Sequence, residues 1–390
     1  MINALKKGIL RFDGGFGSMV AARGIAFDCP ERLNLTRADD VRAIHRAYAE
    51  AGAQVVETNT LGANPVRLRS HGLQEETEAI TRAAVGHARA SGAPFVACSM
   101  GTTAEFLAPF GPLAFEEAVR GFARQAAAAA DAGADILFCE TLTDAAEARA
   151  MMLAARQAGI AFAASFTFAQ NGRTLTGSTP GICALIAQAM GASLVGVNCV
   201  GDGALLARAV EGMRAVCPLP VVAQPNAGLP ETVDGKLVYR TTPQDLVPMI
   251  EGALAAGAAA VGGCCGTTPE HIRRIAPVAM AAPVPAAGGD GIARVCSMRT
   301  ALPLQQALDG YETLAWDEID TIDAEAALVD LRGASPEDVD EMMDELLTLV
   351  KEPVLFCADD EAVLAAALRR YPGVAGVDAP FAPGYGALKI

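Results

Sequence analysis

The sequence AAAVGGCCGTTPEHI, residues 258–272, decides the fold because it completes a pattern that recurs along the chain. An apolar run leads into a glycine-rich turn, and Thr268 and Pro269 then have the residue types of a helix N-cap and first turn. Seven earlier runs are each followed by a helical stretch: GILRFDG (8–14), QVVETNT (54–60), PFVACSM (94–100), DILFCET (135–141), AFAASFTF (161–168), LVGVNCV (194–200) and VVAQPNAG (221–228). Apolar strands that alternate with helices indicate a parallel sheet, and eight such units predict a closed (β/α)8 TIM barrel.

A doubly wound open sheet is the structural alternative. Such a sheet more often carries a glycine-rich dinucleotide-binding fingerprint after its first strand. The stretch DGGFGSMV (13–20) has Gly15 and Gly17 at the first two positions of that fingerprint, but Val20 stands at the third. The pattern therefore favours the barrel.

The overall composition excludes several classes of protein. The 390 residues are 52% hydrophobic with a net charge of -15, which leaves no basic surface for nucleic acid. No charge-free apolar stretch reaches the roughly 20 residues of a membrane span, and residues 1–15 lack a cleavable leader pattern. The ten cysteines have no disulfide framework spacing. We expect a cytoplasmic enzyme with no nucleic-acid or membrane partner; a homo-oligomer is compatible with the sequence.

The composition changes after the eighth unit. Residues 281–292 are rich in Pro, Ala and Gly, which is typical of a linker. The remaining residues, 293–390, contain strand-like and helix-like runs in alternation: AALVDL (326–331), 335–351, PVLFC (353–357), 358–371 and VAGVD (374–378). We therefore expect a barrel over residues 1–280, a linker, and a small partial α/β segment of βαβαβ type.

Polar side chains follow most of the predicted strands, where a parallel barrel builds its site. They are Asp13, Glu57, Asn59, Glu140, Thr141, Ser165, Thr167, Asn198, Cys199, Asn226, Cys264 and Cys265. Cys199, Cys264 and Cys265 end the sixth and eighth strands, and three thiolates with an open fourth position are typical of catalytic zinc. We expect the flanking Gly262, Gly263 and Gly266 to supply unusual backbone angles that turn the adjacent thiolates toward one metal.

Other interpretations of these cysteines exist. All ten could be small core hydrophobes, which we accept for Cys98, Cys139, Cys183 and Cys217 and take as the default for Cys29, Cys296 and Cys357. The adjacent pair at 264–265 could be a redox pair. His271 could be a fourth ligand, although polar residues at a helix start more often bind locally.

The motifs resemble one enzyme family. PERLNLTRADDVRAIHRAYAEAGAQVVETNTLGAN, SFTFAQNGRTLTGSTP, GVNC, PNAGLP and VGGCCGTTPEHI are similar to the zinc-dependent homocysteine S-methyltransferases, most of all the homocysteine-binding module of cobalamin-dependent methionine synthase. The resemblance implies Zn²⁺ on Cys199, Cys264 and Cys265, with homocysteine sulfur in the fourth position.

The same resemblance assigns further residues. It implies that Asn226 occupies the fourth zinc position before substrate arrives, and that Asp13, Glu140 and Ser165 surround the amino acid end of homocysteine. Asp13 and Glu140 make chemical sense as partners of the substrate ammonium. The simpler alternative for Asp13, Glu140 and Ser165 is loop capping and strand-end hydrogen bonding.

The C-terminal segment bears on the methyl donor. It resembles the opening of the folate-binding barrel of methionine synthase, but Asp330-Leu331-Arg332 stands where that family has Asp-x-Asn, and no cobalamin-binding DxHxxG segment follows. An unrelated α/β appendage is an equal alternative. The resemblance favours methylcobalamin on a separate corrinoid protein as donor; S-methylmethionine or betaine is the alternative, and a non-catalytic zinc-binding scaffold is the second.

Overall fold

Parallel strands close into a barrel in the structure of the protein, a computed structural model that describes residues 1–229, 231–233 and 236–390. The strands of this part are β1 (Leu10–Arg11), β2 (Val55–Glu57), β3 (Phe95–Met100), β4 (Ile136–Leu142), β5 (Phe162–Phe166), β6 (Leu194–Asn198), β7 (Val221–Gln224), β8 (Glu231–Val233), β9 (Lys236–Val238) and β10 (Ala260–Val261). The barrel order is β1-β10-β7-β6-β5-β4-β3-β2, and a parallel bridge between Phe12 and Val55 closes it. The predicted (β/α)8 barrel is confirmed.

Helices follow the strands and surround the barrel. They are α1 (Phe16–Ala22), α2 (Leu33–Thr36), α3 (Ala38–Glu50), α4 (Pro65–Leu68), α5 (Thr77–Arg89), α6 (Phe115–Asp131), α7 (Ala145–Gln157), α8 (Pro180–Ala189), α9 (Gly203–Val216), α10 (Pro243–Ala255) and α11 (Pro269–Ala281), with 3₁₀ turns at Ile2–Ala4, Pro30–Arg32, Arg69–His71 and Gln74–Glu76. Side-chain caps start several of them; Asp202, for example, accepts a hydrogen bond from the backbone N–H of Leu205 at 2.9 Å. Thr268 is the N-cap residue of α11 and Pro269 its first residue, as predicted. No helix in the described part of the chain has both the length and the apolar character of a membrane span.

Buried side chains fill the inside of the barrel. Phe12 and Phe138 pack there with ring centroids 5.4 Å apart, among small residues such as Ala97, Ala163 and Ala260. A second, larger core lies between the strands and the helices. The barrel is therefore a packed scaffold, and an open site is left only where the strands end.

The C-terminal segment contains more strands than predicted. Its elements are β11 (Arg294–Cys296), β12 (Ala301–Pro303), α12 (Leu304–Asp309), β13 (Tyr311–Ala315), β14 (Ala326–Asp330), α13 (Pro336–Leu349), β15 (Val354–Cys357), α14 (Glu361–Arg370), β16 (Gly376–Asp378) and β17 (Leu388–Lys389). Strands β13 to β17 form one parallel sheet in chain order, and β11 pairs with β12 as an antiparallel hairpin. The three strands predicted within residues 326–378 are present as β14, β15 and β16. The further strands lie outside that range, where exposed YETLA and the two-residue β17 lack an apolar strand pattern.

The C-terminal segment packs against the outside of the barrel. Helix α14 contacts α7, and β11 contacts α8. The guanidinium of Arg149 on α7 is buried and donates to the carbonyl oxygens of Leu368 and Gly373. On the surface beside it, Arg369 forms a bidentate ion pair with Glu116, with N···O distances of 2.7 and 3.0 Å. Specific polar contacts thus hold the segment in one position.

Candidate metal centre and active site

Three cysteine side chains meet at the carboxyl ends of two barrel strands. Cys199 directly follows β6, and Cys264 and Cys265 follow the glycines after β10. Their sulfur atoms all lie within 4.8 Å of one another, and all three residues are half-buried. The structure therefore brings together all the residues of the predicted metal site. The other cysteines are buried, except Cys357, which is half-buried in the C-terminal segment.

Unusual backbone geometry turns these side chains toward each other. Cys199 has φ of +59°, in the left-handed region that residues other than glycine seldom adopt, and Gly266 has φ of +80°. Gly262 and Gly263 have no positive φ, so the expectation that all three glycines supply unusual angles is wrong for this pair. They are needed for close packing instead; a Cβ on Gly263 would lie 2.3 Å from Oγ1 of Thr267.

The thiols of the cluster differ in their pKa. The pKa of Cys265 is lowered because the thiols of Cys199 and Cys264 donate hydrogen bonds to its sulfur. The pKa of Cys264 is raised, because its hydrogen bonds to Cys199 and Cys265 favour the protonated form and because it is buried. Clustered sulfurs of this kind suit a divalent cation, which would take all three as thiolates.

The donor set fits zinc. Three sulfurs on a tetrahedral Zn²⁺ lie about 3.8 Å apart, for Zn–S bonds of about 2.3 Å, which the observed separations allow. The side chain of Asn226 lies near Cys199, and its Oδ1 is buried without a hydrogen-bond partner in the described part of the chain. An unpaired oxygen beside three sulfurs is suited to complete the coordination of a metal.

His271 is not placed as a ligand. Its Nδ1 accepts a hydrogen bond from the backbone N–H of Thr268 at 3.2 Å, and its Nε2 lies 3.0 Å from the carbonyl oxygen of Thr241. Both ring nitrogens are therefore occupied, which rules out the fourth-ligand alternative. Burial lowers the pKa of His271, so the neutral ring is favoured. In this tautomer Nε2 donates to Thr241.

A cleft of about 340 Å³ joins the cysteines to a group of carboxylates. Glu57 and Glu140 line it together with Cys264 and Cys265, and Asp13 is buried beneath it. Oδ2 of Asp13 accepts a hydrogen bond from the backbone N–H of Glu57 at 3.0 Å, whereas its buried Oδ1 has no partner in the described residues. The cleft thus offers sulfur ligands at one end and acceptors for a cation at the other.

Negative charges crowd this end of the cleft. Burial raises the pKa of Asp13 and of Glu57, and repulsion between the carboxylates adds to both shifts. Burial also raises the pKa of Glu140 to about 7. The neighbouring charges that act on the three groups are all negative. A ligand that brings a positive charge would therefore be favoured here.

Asn198 connects the two ends of the site. Its Nδ2 donates to Oε2 of Glu140 at 3.2 Å and to Oγ1 of Thr141 at 2.8 Å. Its Oδ1 accepts from Oγ of Ser165 at 2.8 Å. Ser165 is fully buried and does not line the cleft, so its contact with the substrate end of the site runs through Asn198. The other oxygen of Glu140 accepts from Ser99 Oγ at 2.5 Å.

Sequence reasoning missed several residues of the site. Ser99 lies in the third strand, and its contact with Glu140 follows only from the pairing of β3 with β4. Glu57 and Asn198 are recognisable as strand-end residues, but nothing local gives them a role. Gln224, which donates to Glu57 Oε1 at 2.8 Å, is likewise identified only by the folded geometry.

Comparison with known proteins agrees with this geometry. The homocysteine S-methyltransferase family model matches residues 10–279. The methionine synthase of Mycobacterium tuberculosis (strain ATCC 25618 / H37Rv) is 30% identical over 328 residues, which is 78% of this chain and 27% of that protein. The methionine synthase of Mycobacterium leprae (strain TN) is 30% identical over 298 residues, 71% of this chain and 25% of that protein. The chain thus spans about a quarter of the length of these curated relatives.

A solved structure matches the barrel more completely. The metallated form of the homocysteine methyltransferase MmuM from Escherichia coli is 26% identical, with a TM-score of 0.60, and the match covers 71% of this chain and 99% of that chain. The family model spans the barrel from its first strand to its last helix, and it confirms the resemblance found in the motifs. The chain therefore belongs to the homocysteine S-methyltransferase family.

Proposed function

We propose that the protein transfers a methyl group to the sulfur of homocysteine and forms methionine, with zinc held by Cys199, Cys264 and Cys265. One observation carries the proposal: Cys264 and Cys265, whose sulfurs cluster with that of Cys199, share a single cleft with the carboxylates of Glu57 and Glu140. Homocysteine has a thiol at one end and an ammonium at the other. The thiol matches the cysteine end of the cleft, and the ammonium matches the carboxylate end.

The residues of the chain have distinct tasks in this reaction. Glu140 accepts a hydrogen bond from the substrate ammonium, and Asp13 lies below it. Both carboxyl groups are buried acceptors with no neighbouring cation among the described residues. Ser99 and Asn198 fix the orientation of the Glu140 carboxylate. Held at this end, the substrate points its sulfur toward the cysteines, which reduces the entropy lost in reaching the transition state.

Zinc bound to the three cysteines would lower the pKa of the substrate thiol and so supply a thiolate at neutral pH. In the transfer, a sulfur lone pair forms the new S–C bond, and the electrons of the broken donor–methyl bond stay with the donor. The product thioether is neutral and a weaker ligand. The role of the protein is to keep the sulfur still and accessible to the donor.

The donor in this proposal is methylcobalamin on a separate corrinoid protein. The motifs LNLT, ETNTLGAN and GGCCGTT support it, as does similarity to methionine synthases. Arg332 donates hydrogen bonds to both carboxylate oxygens of Asp330, at 2.8 and 2.5 Å. This carboxylate is therefore already paired and is not free to bind a pterin. S-methylmethionine or betaine stays the alternative donor, and similarity to the homocysteine methyltransferase MmuM over 99% of that chain is compatible with it.

The proposal includes the organisation of the chain and its location. Residues 1–280 form the catalytic barrel, residues 281–292 a linker, and residues 293–390 a small α/β segment that resembles a truncated pterin-binding barrel. All ten cysteines are free thiols, which suits a reducing cytoplasm.

A donor panel tests the proposal. Purified, zinc-loaded protein and homocysteine are offered methylcobalamin, S-methylmethionine, betaine or methyltetrahydrofolate in turn, and methionine is measured by mass spectrometry. We expect methionine with methylcobalamin. Formation with S-methylmethionine or betaine alone would establish the alternative donor. Failure with every donor would favour a non-catalytic zinc scaffold, and direct turnover of methyltetrahydrofolate would contradict our account of the C-terminal segment.

A further inference from the structure

One buried threonine joins two loops of the site. Thr267 lies in the turn between the cysteine pair and α11, and its side chain is fully buried. Its Oγ1 donates a hydrogen bond to the carbonyl oxygen of Cys264 at 2.6 Å and accepts one from the backbone N–H of Gly15 at 3.0 Å. Gly15 belongs to the loop after β1, which also carries Asp13. One hydroxyl therefore contacts the backbone of a clustered cysteine and the loop that bears a carboxylate of the cleft.

A buried tyrosine on α3 holds the same two loops together. The hydroxyl of Tyr48 lies 3.1 Å from the carbonyl oxygen of Gly15 and 3.0 Å from that of Thr267. A phenol has one proton to donate, so the two carbonyl oxygens share it. The backbone adds a further link, because the N–H of Gly263 donates to the carbonyl oxygen of Asp13 at 2.8 Å. Two loops that are far apart in sequence are thus joined by side chains as well as by backbone.

The space around the Thr267 hydroxyl is filled by backbone. A Cβ added to Gly14 would lie 2.5 Å from Oγ1 of Thr267, and one added to Gly15 would lie 2.8 Å from the carbonyl oxygen of Cys264. Glycine is needed at both positions because the two loops approach so closely. Without the hydroxyl, the N–H of Gly15 would lose the acceptor that it has in this contact.

We propose that Thr267 is a positioning residue that fixes the separation between the metal end and the ammonium end of the site. The inference rests on the proposed function, in which one homocysteine molecule spans both ends. The hydroxyl acts on the metal end through Cys264 and on the ammonium end through the loop of Gly15 and Asp13. A site held at the matching separation before the substrate arrives loses less entropy on binding.

Four substitutions separate this role from an effect on stability alone. Thr267→Val keeps the shape of the side chain but removes the hydroxyl, whereas Thr267→Ser keeps the hydroxyl. Thr81→Val is the matched control, because Thr81 is equally buried, donates from Oγ1 to the carbonyl oxygen of Thr77 at 2.7 Å and does not line the cleft. Tyr48→Phe removes the second hydroxyl and decides the question by the same measurements if circular dichroism shows that Thr267→Val does not fold.

Two measurements report on the two ends of the site. Each protein is loaded with Co²⁺, and the visible ligand-field bands, which depend on the arrangement of the sulfur ligands, are recorded. Homocysteine affinity of each zinc-loaded protein is measured by calorimetric titration. We expect Thr267→Val to change the cobalt bands and to bind homocysteine about tenfold more weakly, as after loss of other outer partners of metal ligands. Tyr48→Phe should show the same changes to a smaller extent, and Thr267→Ser and Thr81→Val should match the wild type.

The outcomes that would overturn the role of Thr267 are distinct from those that would overturn the proposed function. Wild-type bands and homocysteine affinity in Thr267→Val would remove the role, and so would a change in only one of the two measurements. Equal losses in Thr81→Val would remove it as well, because they would reflect stability alone. If the wild-type protein bound neither metal nor homocysteine, the proposed function itself would be wrong, and this inference with it.

Discussion

The side-chain amide of Asn198 lies 3.2 Å from Oε2 of Glu140, and Asn198 directly precedes Cys199, a residue of the candidate metal site. One short stretch of chain therefore sets both the position of a sulfur and the orientation of a carboxylate. The backbone of Cys199 is left-handed, and its sulfur joins the cysteine cluster while the side chain of Asn198 contacts Glu140. In the proposed function, this stretch therefore links the sulfur site to the ammonium site.

We predict that Asn198→Ala weakens homocysteine binding by about tenfold to a hundredfold, the loss of one hydrogen bond to a charged group. Calorimetric titration of homocysteine into the zinc-loaded protein measures the affinity. Ser165→Ala removes only the neutral hydrogen bond to Asn198, so its effect should be smaller. Unchanged affinity in Asn198→Ala with zinc retained would argue against this coupling.

Replacing Glu140 tests the ammonium site separately from the metal. Glu140→Gln keeps the size of the side chain but removes its charge, so homocysteine affinity should fall by about tenfold to a hundredfold. Zinc content, measured by plasma mass spectrometry, should stay the same. Glu270→Gln, at an exposed glutamate of α11, is the control. Wild-type homocysteine affinity in Glu140→Gln would remove Glu140 from the substrate site.

The raised pKa of Glu140, about 7, predicts a pH dependence of binding. Methionine is a suitable probe because it has the same ammonium as homocysteine but no thiol that could lose a proton. It should bind best when the carboxylate of Glu140 is charged. We expect its affinity to rise about tenfold from pH 6 to pH 8, since one proton leaves a group of pKa near 7. Titrations across this range should show the rise in the wild type and a flatter profile in Glu140→Gln. A flat wild-type profile would contradict the assignment.

The same pKa shift has the opposite effect on the stability of the substrate-free protein. A carboxyl whose pKa is raised by folding stabilises the protein below its ordinary pKa, near 4.5, and this contribution is lost as the pH rises through 7. Glu140→Gln should therefore be more stable than the wild type at pH 8, with little difference at pH 4.5. Denaturant unfolding at the two pH values measures the free energy of unfolding of both proteins. A variant less stable than the wild type at pH 8 would show that the charge of Glu140 is not destabilising.

Burial of Arg149 predicts how firmly the C-terminal segment is attached. Arg149→Met would leave the carbonyl oxygens of Leu368 and Gly373 buried without donors, at a cost of about 1–3 kcal/mol each. We expect a lower melting temperature and faster proteolysis near residues 283–293, with zinc content unchanged. Arg156→Met changes an exposed arginine of the same helix and should have little effect. Equal protease resistance in the two variants would contradict the role of Arg149 in attaching the C-terminal segment to the barrel.

Local patterns in the sequence were enough to predict the barrel and the cysteine trio. Each strand is an apolar run followed by a helical stretch, and the closed barrel follows from eight such repeats. The roles of Ser99 and Gln224 could not be predicted, because each depends on a contact with a residue distant in sequence. Ser165 was placed at the strand end correctly, but its burial behind Asn198 is visible only in the fold. Strand β13 is exposed and has no apolar alternation, so the sequence pattern does not predict it.

X-ray absorption at the zinc edge tests the central claim most directly, because it counts the sulfur atoms around the metal. We predict one zinc per chain with three sulfur neighbours in the purified protein, and four after homocysteine is added. Cys265→Ala should lose most of its zinc. Absence of zinc, or a sulfur count that stays at three with saturating homocysteine, would contradict the account.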